Sequence, residues 1–156
     1  ITPVYAKPTL SGQLNFPDNH FDLITCFSAL HHIPNVSYVM SELCRCLKPG
    51  GYLLMHEPIQ SMGDWSRARR GLTKNERGIP LPIFRKIINQ LNFIVTKETF
   101  CSSFIRKINR RFIYSNFYLA IDKIISGILS FEAATYHRKT LFSKLAPGAV
   151  YYILTK

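Results

Sequence analysis

Two adjacent histidines, His31 and His32, are the strongest candidates for chemistry in this 156-residue sequence. They follow a short apolar run that ends at Phe27, and Ser28 and Ala29 lie between that run and the histidines. A histidine can be tuned to accept a proton near neutral pH, so either imidazole could deprotonate an attacking hydroxyl group. The alternative, which is the commoner use of such a residue, is a structural role in a pocket wall or at the start of a helix.

A metal site is a competing interpretation of the same histidines. His56 and Glu57 end a second predicted strand, so they would converge with His31 and His32 if the two strands are parallel neighbours. Imidazole and carboxylate groups are ligands that suit zinc or iron. Adjacent histidines rarely face one point, however, and His56 is expected to point away from Glu57. We therefore predict no metal site from the sequence.

The elements that must position these residues lie within 15–58, which has the strand, helix and strand signals of one right-handed βαβ unit. Residues 21–27 form an apolar strand bounded by turn residues, and such strands usually belong to parallel sheets covered on both faces. Apolar residues at helical spacing follow over 36–47, and Pro49-Gly50-Gly51 is expected to stop that helix. The pattern of residues 52–56 then predicts the second strand.

The order and spacing of motifs in this segment resemble class I S-adenosylmethionine-dependent methyltransferases. Residues 15–24, NFPDNHFDLI, are similar to that family's "LPF, short turn, FD, apolar strand" pattern, and LHHI follows at 30–33. Residues 42–51, ELCRCLKPGG, match the family's E-x-x-R-x-L-K-P-G-G pattern closely. The resemblance covers the later half of the family's domain.

This resemblance implies an α/β fold with a Rossmann-like methyltransferase sheet, S-adenosylmethionine as the cofactor and methyl transfer as the activity. The acceptor is expected to be a small molecule or lipid-like, because the later part of the chain is both apolar and basic. The resemblance also implies contacts to the adenine side and to the methionine part of the cofactor. Leu14, Asn15 and Phe16 would contact the adenine side. Ser28, Ala29 and His32 would contact the methionine part.

Two departures from the family pattern concern the cofactor site. The acidic residue that commonly holds the adenine amino group is absent from 7–13, where Thr9, Ser11 or Gln13 would have to complete the pocket. The sequence also contains no G-x-G turn, which in this family follows the first strand and lets the backbone approach the ligand. We therefore interpret 1–156 as one partial domain, with the amino-terminal strands missing.

A fragment of a longer protein is favoured over a degenerate remnant, because the retained half keeps the family's spacing. We expect the chain to be inactive on its own. The alternative function is that of a degenerate pseudo-methyltransferase, which would act as a binding or scaffold module.

The remaining elements are predicted from local patterns. Residues 1–14 indicate the end of a strand and a loop, while prolines open a helix that runs from Pro80 to Leu91. A strand follows at 93–96, and the last strand occupies 149–154. The resemblance implies that this last strand is antiparallel and closes the sheet.

Residues 100–146 are interpreted as a helical insertion before the last strand. Two helices are predicted in it, at 104–113 and 116–131. The apolar run of the second helix is too short to cross a bilayer. The region 104–131 could instead contact a membrane surface or act as a lid over an apolar substrate. Packing against the core of the domain is the simplest interpretation.

Composition places limits on partners and location. The formal net charge of +11 suggests an anionic partner, but no basic run exceeds a few residues, so there is no strong nucleic-acid signal. The basic loop 59–78 is expected beside the pocket, where it either meets an anionic substrate or forms a solvated surface. The four cysteines contain no C-x-x-C pair, which favours reduced thiols and a cytoplasmic protein, with membrane-surface contact as a further expectation.

Overall fold

Four strands form one mixed sheet in the order β1-β2-β4-β3. The computed structural model describes residues 2–5, 7–9, 11–64, 66–101 and 116–156. The predicted helix at 104–113 lies outside these residues. The strands are β1 (Phe21–Phe27), β2 (Leu47–Pro58), β3 (Ile94–Cys101) and β4 (Ala149–Thr155).

The strand pairing fixes which ends of the strands meet. β1 and β2 are parallel, with Leu23 opposite Tyr52 and Phe27 opposite His56, so the two strands end at the same edge of the sheet. β4 lies between β2 and β3 and is antiparallel to both. The predicted antiparallel last strand is thereby confirmed, in a mixed sheet of the predicted α/β class.

Four α-helices and two short 3₁₀ turns connect the strands in the described residues. The first 3₁₀ turn, Leu30–His32, follows β1 and leads into α1 (Val36–Cys46). Pro80 precedes α2 and Pro82 lies in its first turn, as predicted from the prolines. The other helical segments are α2 (Leu81–Gln90), α3 (Asn116–Ile128), the 3₁₀ turn Leu129–Glu132 and α4 (Leu141–Leu145).

The core lies on one face of the sheet, and this corrects the expectation of a sheet covered on both faces. Leu53 and Met55 of β2 are fully buried on the covered face, together with Tyr152 of β4, whose ring meets Phe84 of α2 edge-on at 5.4 Å. The side chains of the other face are more open. Their exposed fractions are 49% for Leu23, 55% for Phe27, 48% for Tyr52 and 46% for Tyr151.

The boundary between α1 and β2 differs from the prediction. Leu47 fits the helical spacing, but α1 ends at Cys46 and Leu47 already has extended backbone and pairs with Phe21. Pro49-Gly50-Gly51 therefore lies inside β2, where Gly50 adopts a positive φ of 76° and its N–H donates to Lys156 O. Strand pairing outweighs the local helical signal here, because the neighbouring strands provide hydrogen bonds for the backbone N–H and C=O groups.

Two other predictions change at the ends of elements. Residues 2–5 are exposed and contain no strand, so the predicted strand end there is wrong. β3 runs on to Cys101, five residues beyond the predicted strand at 93–96, because its later residues pair with β4. Asn92 has a φ of 56° at the corner between α2 and β3, a left-handed conformation that asparagine tolerates better than most residues.

Exposed apolar side chains mark α3 and the turn after it. The exposed fractions are 70% for Phe117, 62% for Ile124, 67% for Ile128 and 71% for Phe131. Among the described residues, none of the helices has the length and apolar character needed to span a membrane. The predicted helix at 116–131 is present as α3 followed by a 3₁₀ turn.

Candidate functional site

The candidate site lies where β1 and β2 end together. Ser28 and Ala29 follow β1 and are both exposed, and they lead into the 3₁₀ turn that carries His31 and His32. Glu57 occupies the corresponding end of β2 and is completely buried. In open α/β sheets, ligands bind at this edge, outside the carboxyl ends of the strands.

Glu57 organises the loop that carries the histidines. Its Oε1 accepts hydrogen bonds from the backbone N–H groups of Ala29 and Leu30, both at 2.9 Å. Its Oε2 accepts one from His31 N–H at 3.3 Å and one from His31 Nδ1 at 2.8 Å. This carboxylate therefore satisfies backbone donors at the start of the 3₁₀ turn and orients one imidazole, roles that the sequence analysis did not assign to it.

The charge of Glu57 also acts on the thiol of Cys26 beneath it. Burial, reinforced by the Glu57 carboxylate, raises the pKa of Cys26 to about 12. Cys26 is thus a neutral thiol at physiological pH. It packs against the core, as the interpretation of buried, reduced cysteines implies.

The two histidines face each other, against the expectation for adjacent residues. Their ring centroids are 4.1 Å apart. His31 is nearly buried, with a side chain 7% exposed, whereas the side chain of His32 is 40% exposed. Nδ1 of His32 lies 3.0 Å from the hydroxyl oxygen of Thr73, on the loop that follows β2.

The loop after β2 returns to the histidines and brings Glu76 to them. Arg77 N–H donates to His31 O at 2.9 Å, and Ile79 N–H donates to Pro58 O at 2.8 Å. Glu76 Oε1 consequently lies 4.0 Å from His31 Nε2, and Oε2 lies 3.6 Å from His32 Nδ1. The sequence analysis placed this loop beside the pocket but missed Glu76, because a contact over more than 40 positions leaves no local spacing signal.

Gly78 is the residue that permits this return. A Cβ atom at position 78 would lie 1.9 Å from Gln60 O, far inside van der Waals contact. The hydroxyl of Tyr136 also donates to Gly78 O at 2.9 Å. The backbone at this glycine is therefore packed directly against the segment that leaves β2.

His56 does not join the other histidines, so the metal set His31, His32, His56 and Glu57 is not assembled. Its Nδ1 lies 3.1 Å from Ser28 Oγ and its ring packs on Tyr151 at 4.2 Å, on the open face of the sheet. Alternation along a strand explains this, since His56 and Glu57 must point to opposite faces. Ser28 itself has a φ of 53°, an uncommon conformation for a residue with a side chain.

The segment 14–16 lies along α1 rather than beside the histidines. Arg45 donates to Leu14 O at 2.9 Å and to Phe16 O at 2.8 Å, while Leu14 N–H donates to Glu42 Oε2 at 2.9 Å. The side chain of Leu14 is buried in the core and Asn15 is exposed. The contacts of this segment are thus with the later turns of α1, and they do not bring it to Ser28 or His32.

An ion pair fixes this arrangement. Arg45 donates to both oxygens of Glu42, and it lowers the pKa of that carboxyl to about 2. Arg45 also donates to Asp18 at 2.7 Å, on the turn before β1. The E-x-x-R part of the sequence motif is therefore a brace that ties α1 to the segment entering the sheet.

Thr9 and residues 11–13 form polar contacts near the start of α1. The hydroxyls of Thr9 and Ser11 are 2.8 Å apart, and Gln13 N–H donates to Thr9 Oγ1 at 3.0 Å. Asn35 Nδ2 donates to Ser11 O at 2.5 Å, which joins this group to the residue before the helix. The polar groups suggested for the adenine side are therefore present in one group, where two of them bond to each other.

A cavity of about 190 Å³ lies beside His31, between the 3₁₀ turn and the helices α1 and α2. Its walls are mainly apolar, and Arg77 contributes the charged group. The apolar lining includes Leu30, Ile33, Val36, Ile79, Ile83 and Ile87.

Part of this chain is similar in sequence to known methyltransferases. Residues 7–55 match the family model described as "Methyltransferase domain". The chain is 44% identical over 45 residues to the ubiquinone/menaquinone biosynthesis C-methyltransferase UbiE of Laribacter hongkongensis, a match covering 29% of this chain and 18% of that protein. It is 30% identical over 82 residues to the 2-methyl-6-phytyl-1,4-hydroquinone methyltransferase of Synechocystis, covering 49% of this chain and 22% of that protein.

Solved structures share the fold. The phosphoethanolamine N-methyltransferase 2 of Haemonchus contortus, in complex with S-adenosyl-L-methionine, superposes with a TM-score of 0.57 at 18% identity. That similarity covers 92% of this chain and 35% of the other. The cyclase SpnF has the same fold, with a TM-score of 0.54 at 17% identity, covering 94% of this chain and 53% of the other.

These matches show that residues 7–55 are similar to methyltransferase domains and that the described chain shares its fold with solved methyltransferase structures. The chain spans less than a quarter of the length of the curated relatives it matches. The activity and the substrate of the whole protein are therefore matters for proposal.

Proposed function

We propose that this chain supplies the later half of a methyltransferase that transfers the methyl group of S-adenosylmethionine to a small-molecule or lipid-like acceptor. One observation carries the proposal: the stretch that matches the methyltransferase family folds as a βαβ unit and presents residues 28–32 at the carboxyl edge of the sheet. Relatives named for quinone and hydroquinone methylation support the acceptor class.

The residues present fit one side of the cofactor. Ser28 and Ala29 are exposed at the end of β1, and the left-handed backbone of Ser28 is the kind of local strain that concentrates at ligand sites. Together with His32 they would hold the methionine part, and segment 14–16 would lie toward the adenine side. Leu14 would contribute through its backbone because its side chain is buried. The cofactor supplies a methyl group already activated by sulfonium, so the protein mainly has to position the acceptor.

His31 is our candidate for the group that removes a proton from the acceptor, and His32 would form the exposed wall beside it. Glu57 receives a hydrogen bond from Nδ1 of His31, which leaves the Nε2 lone pair to accept a proton from an acceptor hydroxyl. The buried carboxylate would then stabilise the imidazolium that forms. A positioned base of this kind contributes a factor of about 10² to 10⁴ in rate.

The surroundings favour an apolar acceptor. The cavity beside His31 is lined mainly by leucine, isoleucine and valine side chains. The exposed apolar residues of α3 offer a second surface that could contact a membrane in which such an acceptor dissolves. We also propose that 104–131 contacts a membrane surface and that the protein is cytoplasmic.

A binding or scaffold role is the second candidate. SpnF is named as a cyclase although it has this fold, so the fold by itself does not impose methyl transfer. The lack of the family's adenine-binding acidic residue in 7–13 favours this second function, and we expect the chain alone to show no methyl transfer.

A chimera tests the proposed activity without relying on the isolated chain. Residues 7–58 would replace the matched segment of UbiE from Laribacter hongkongensis, and methyl transfer would be followed by formation of S-adenosylhomocysteine. We expect the chimera to retain methyl transfer to the acceptor that unmodified UbiE methylates. In the chimera, His31→Gln should lower the turnover rate by about 10²-fold or more with cofactor binding unchanged, because only the base is lost.

The matched control is Lys48→Ala, at the opposite end of the sheet, where a surface ion pair with Asp22 is lost. This variant should leave the rate within about twofold of the unmodified chimera. A folded chimera that binds S-adenosylmethionine and transfers no methyl group would favour the scaffold reading. A His31→Gln chimera with full turnover would remove His31 from the chemistry.

A further inference from the structure

Three side chains converge at the carboxyl edge of the sheet. The proposed activity does not use them as a group. His31, His32 and Glu76 each offer one ligand atom, and these atoms all lie within 4.8 Å of one another. Two come from the turn after β1, and the third comes from the loop after β2. Imidazole nitrogen and carboxylate oxygen are the donor set of many zinc sites.

His31 is already held in the manner of a metal-binding histidine. Histidine ligands usually donate their second ring N–H to a carboxylate or a carbonyl group, which fixes the tautomer and the ring orientation. Here Glu57 Oε2 lies 2.8 Å from Nδ1, so Nε2 presents its lone pair toward Glu76. The side chains of His31 and Glu76 are largely buried, with exposed fractions of 7% and 14%.

Glu76 is charged and fixed in place. The amide N–H of Thr73 donates to its Oε2 at 2.9 Å, and this bond lowers the pKa of the Glu76 carboxyl. The Thr73 hydroxyl donates to the same oxygen at 3.2 Å. Oε1 is thus the oxygen that faces His31, at 4.0 Å from Nε2. A second carboxylate, Glu57, lies behind the histidines, so the local charge favours a cation.

We propose that His31, His32 and Glu76 bind one divalent transition-metal ion, with Zn²⁺ as the preferred ion. Two ligands bound to zinc at about 2.1 Å in tetrahedral geometry lie about 3.4 Å apart. The three ligand atoms lie within 4.8 Å of one another, so the longest separation has to shorten by at most about 1.4 Å to reach that geometry. Nδ1 of His32 becomes a ligand in the neutral tautomer that carries the ring proton on Nε2, and the Thr73 hydroxyl keeps its bond to Glu76.

The site differs from the set considered from the sequence, since Glu76 replaces His56 and Glu57 has an orienting role. Three protein ligands leave a fourth tetrahedral position for water or another oxygen ligand, as in catalytic zinc sites. The inference does not rest on methyl transfer. A bound ion would occupy the lone pair of His31 Nε2, so the ion-bound form and the form in which His31 accepts a proton exclude each other.

Calorimetric titration of Zn²⁺ alone into the chelator-treated chain tests the site. We expect one ion per chain, a rise in the thermal unfolding midpoint with Zn²⁺, and a Co²⁺ spectrum without thiolate charge-transfer bands. Glu76→Gln and His32→Ala should each weaken binding by at least about tenfold. Both variants spare the buried His31, and glutamine can still accept the Thr73 bonds, so circular dichroism should show the native fold.

The control His137→Ala removes an exposed histidine far along the chain and should leave the affinity unchanged. Absence of Zn²⁺ binding to the folded chain would overturn the proposal. Binding that survives both Glu76→Gln and His32→Ala would also overturn it, as would a Co²⁺ spectrum that shows cysteine ligation.

Discussion

Replacing Glu57 with glutamine will lower the free energy of unfolding by about 3–5 kcal/mol. Glu57 is fully buried, and each of its oxygens accepts from two N–H groups, among them those of Ala29, Leu30 and His31. Glutamine has one oxygen, so whichever way the amide is turned, its NH₂ group faces two donors. Each unsatisfied buried donor costs about 1–3 kcal/mol.

Urea unfolding measures this effect, with Asp22→Asn as the matched carboxyl-to-amide control. Asp22 is at the other end of β1, where its exposed carboxylate pairs only with Lys48 in the described residues, and its loss should leave the urea midpoint nearly unchanged. The same midpoint for Glu57→Gln and the unmodified chain would mean that Glu57 does not hold the turn. The arrangement proposed for His31 would then fail with it.

Gly78→Ala is expected to destabilise the chain by about 3 kcal/mol and to weaken any Zn²⁺ binding with it. A methyl group at this position would lie 1.9 Å from Gln60 O, and the obstacle is backbone rather than a flexible side chain. The loop must therefore move away from β2. Glu76, two residues earlier, moves with it and leaves the histidines.

Gly127→Ala is the control for this prediction. Gly127 lies in α3, and a Cβ there meets no atom of the described residues within 4 Å. Alanine should therefore be neutral or raise the stability by up to about 1 kcal/mol, since glycine is the weaker helix former. Equal stability of Gly78→Ala and the unmodified chain would contradict the close packing of the loop against the segment after β2.

The local patterns in the sequence predicted most of the elements that build the site. The βαβ unit, the prolines at the start of α2 and the antiparallel last strand are all present in the structure. These signals succeed because they depend on neighbours: apolar periodicity, proline geometry and the spacing of a family motif. The loop with His31 and His32 was located for the same reason.

What the sequence could not predict depends on contacts between distant residues. Leu47 has helical spacing but belongs to β2, because it pairs with Phe21 of β1. Glu57 was a suggested metal ligand and is instead an acceptor for backbone N–H groups. Glu76 reaches the histidines only because Gly78 lets the loop return to β2, and no spacing rule connects residues so far apart.

The exposed face of β1 has a similar explanation. The apolar run at 21–27 favoured a strand buried on both faces, yet Leu23 and Phe27 remain about half exposed. Alternation along the strand puts both on the face opposite α1 and α2. Composition cannot tell which face of a strand is covered, because coverage depends on elements elsewhere in the fold.

Amide chemical-shift mapping during titration of S-adenosylmethionine into the isotopically labelled chain tests the central claim most directly, since it detects even weak binding. The account predicts shifts that cluster at Ser28, Ala29 and His32, with a second group within 11–16, at millimolar ligand. Shifts confined to the cavity side of α2, or no shifts at a concentration that saturates a weak site, would contradict a cofactor site at the carboxyl edge of β1 and β2.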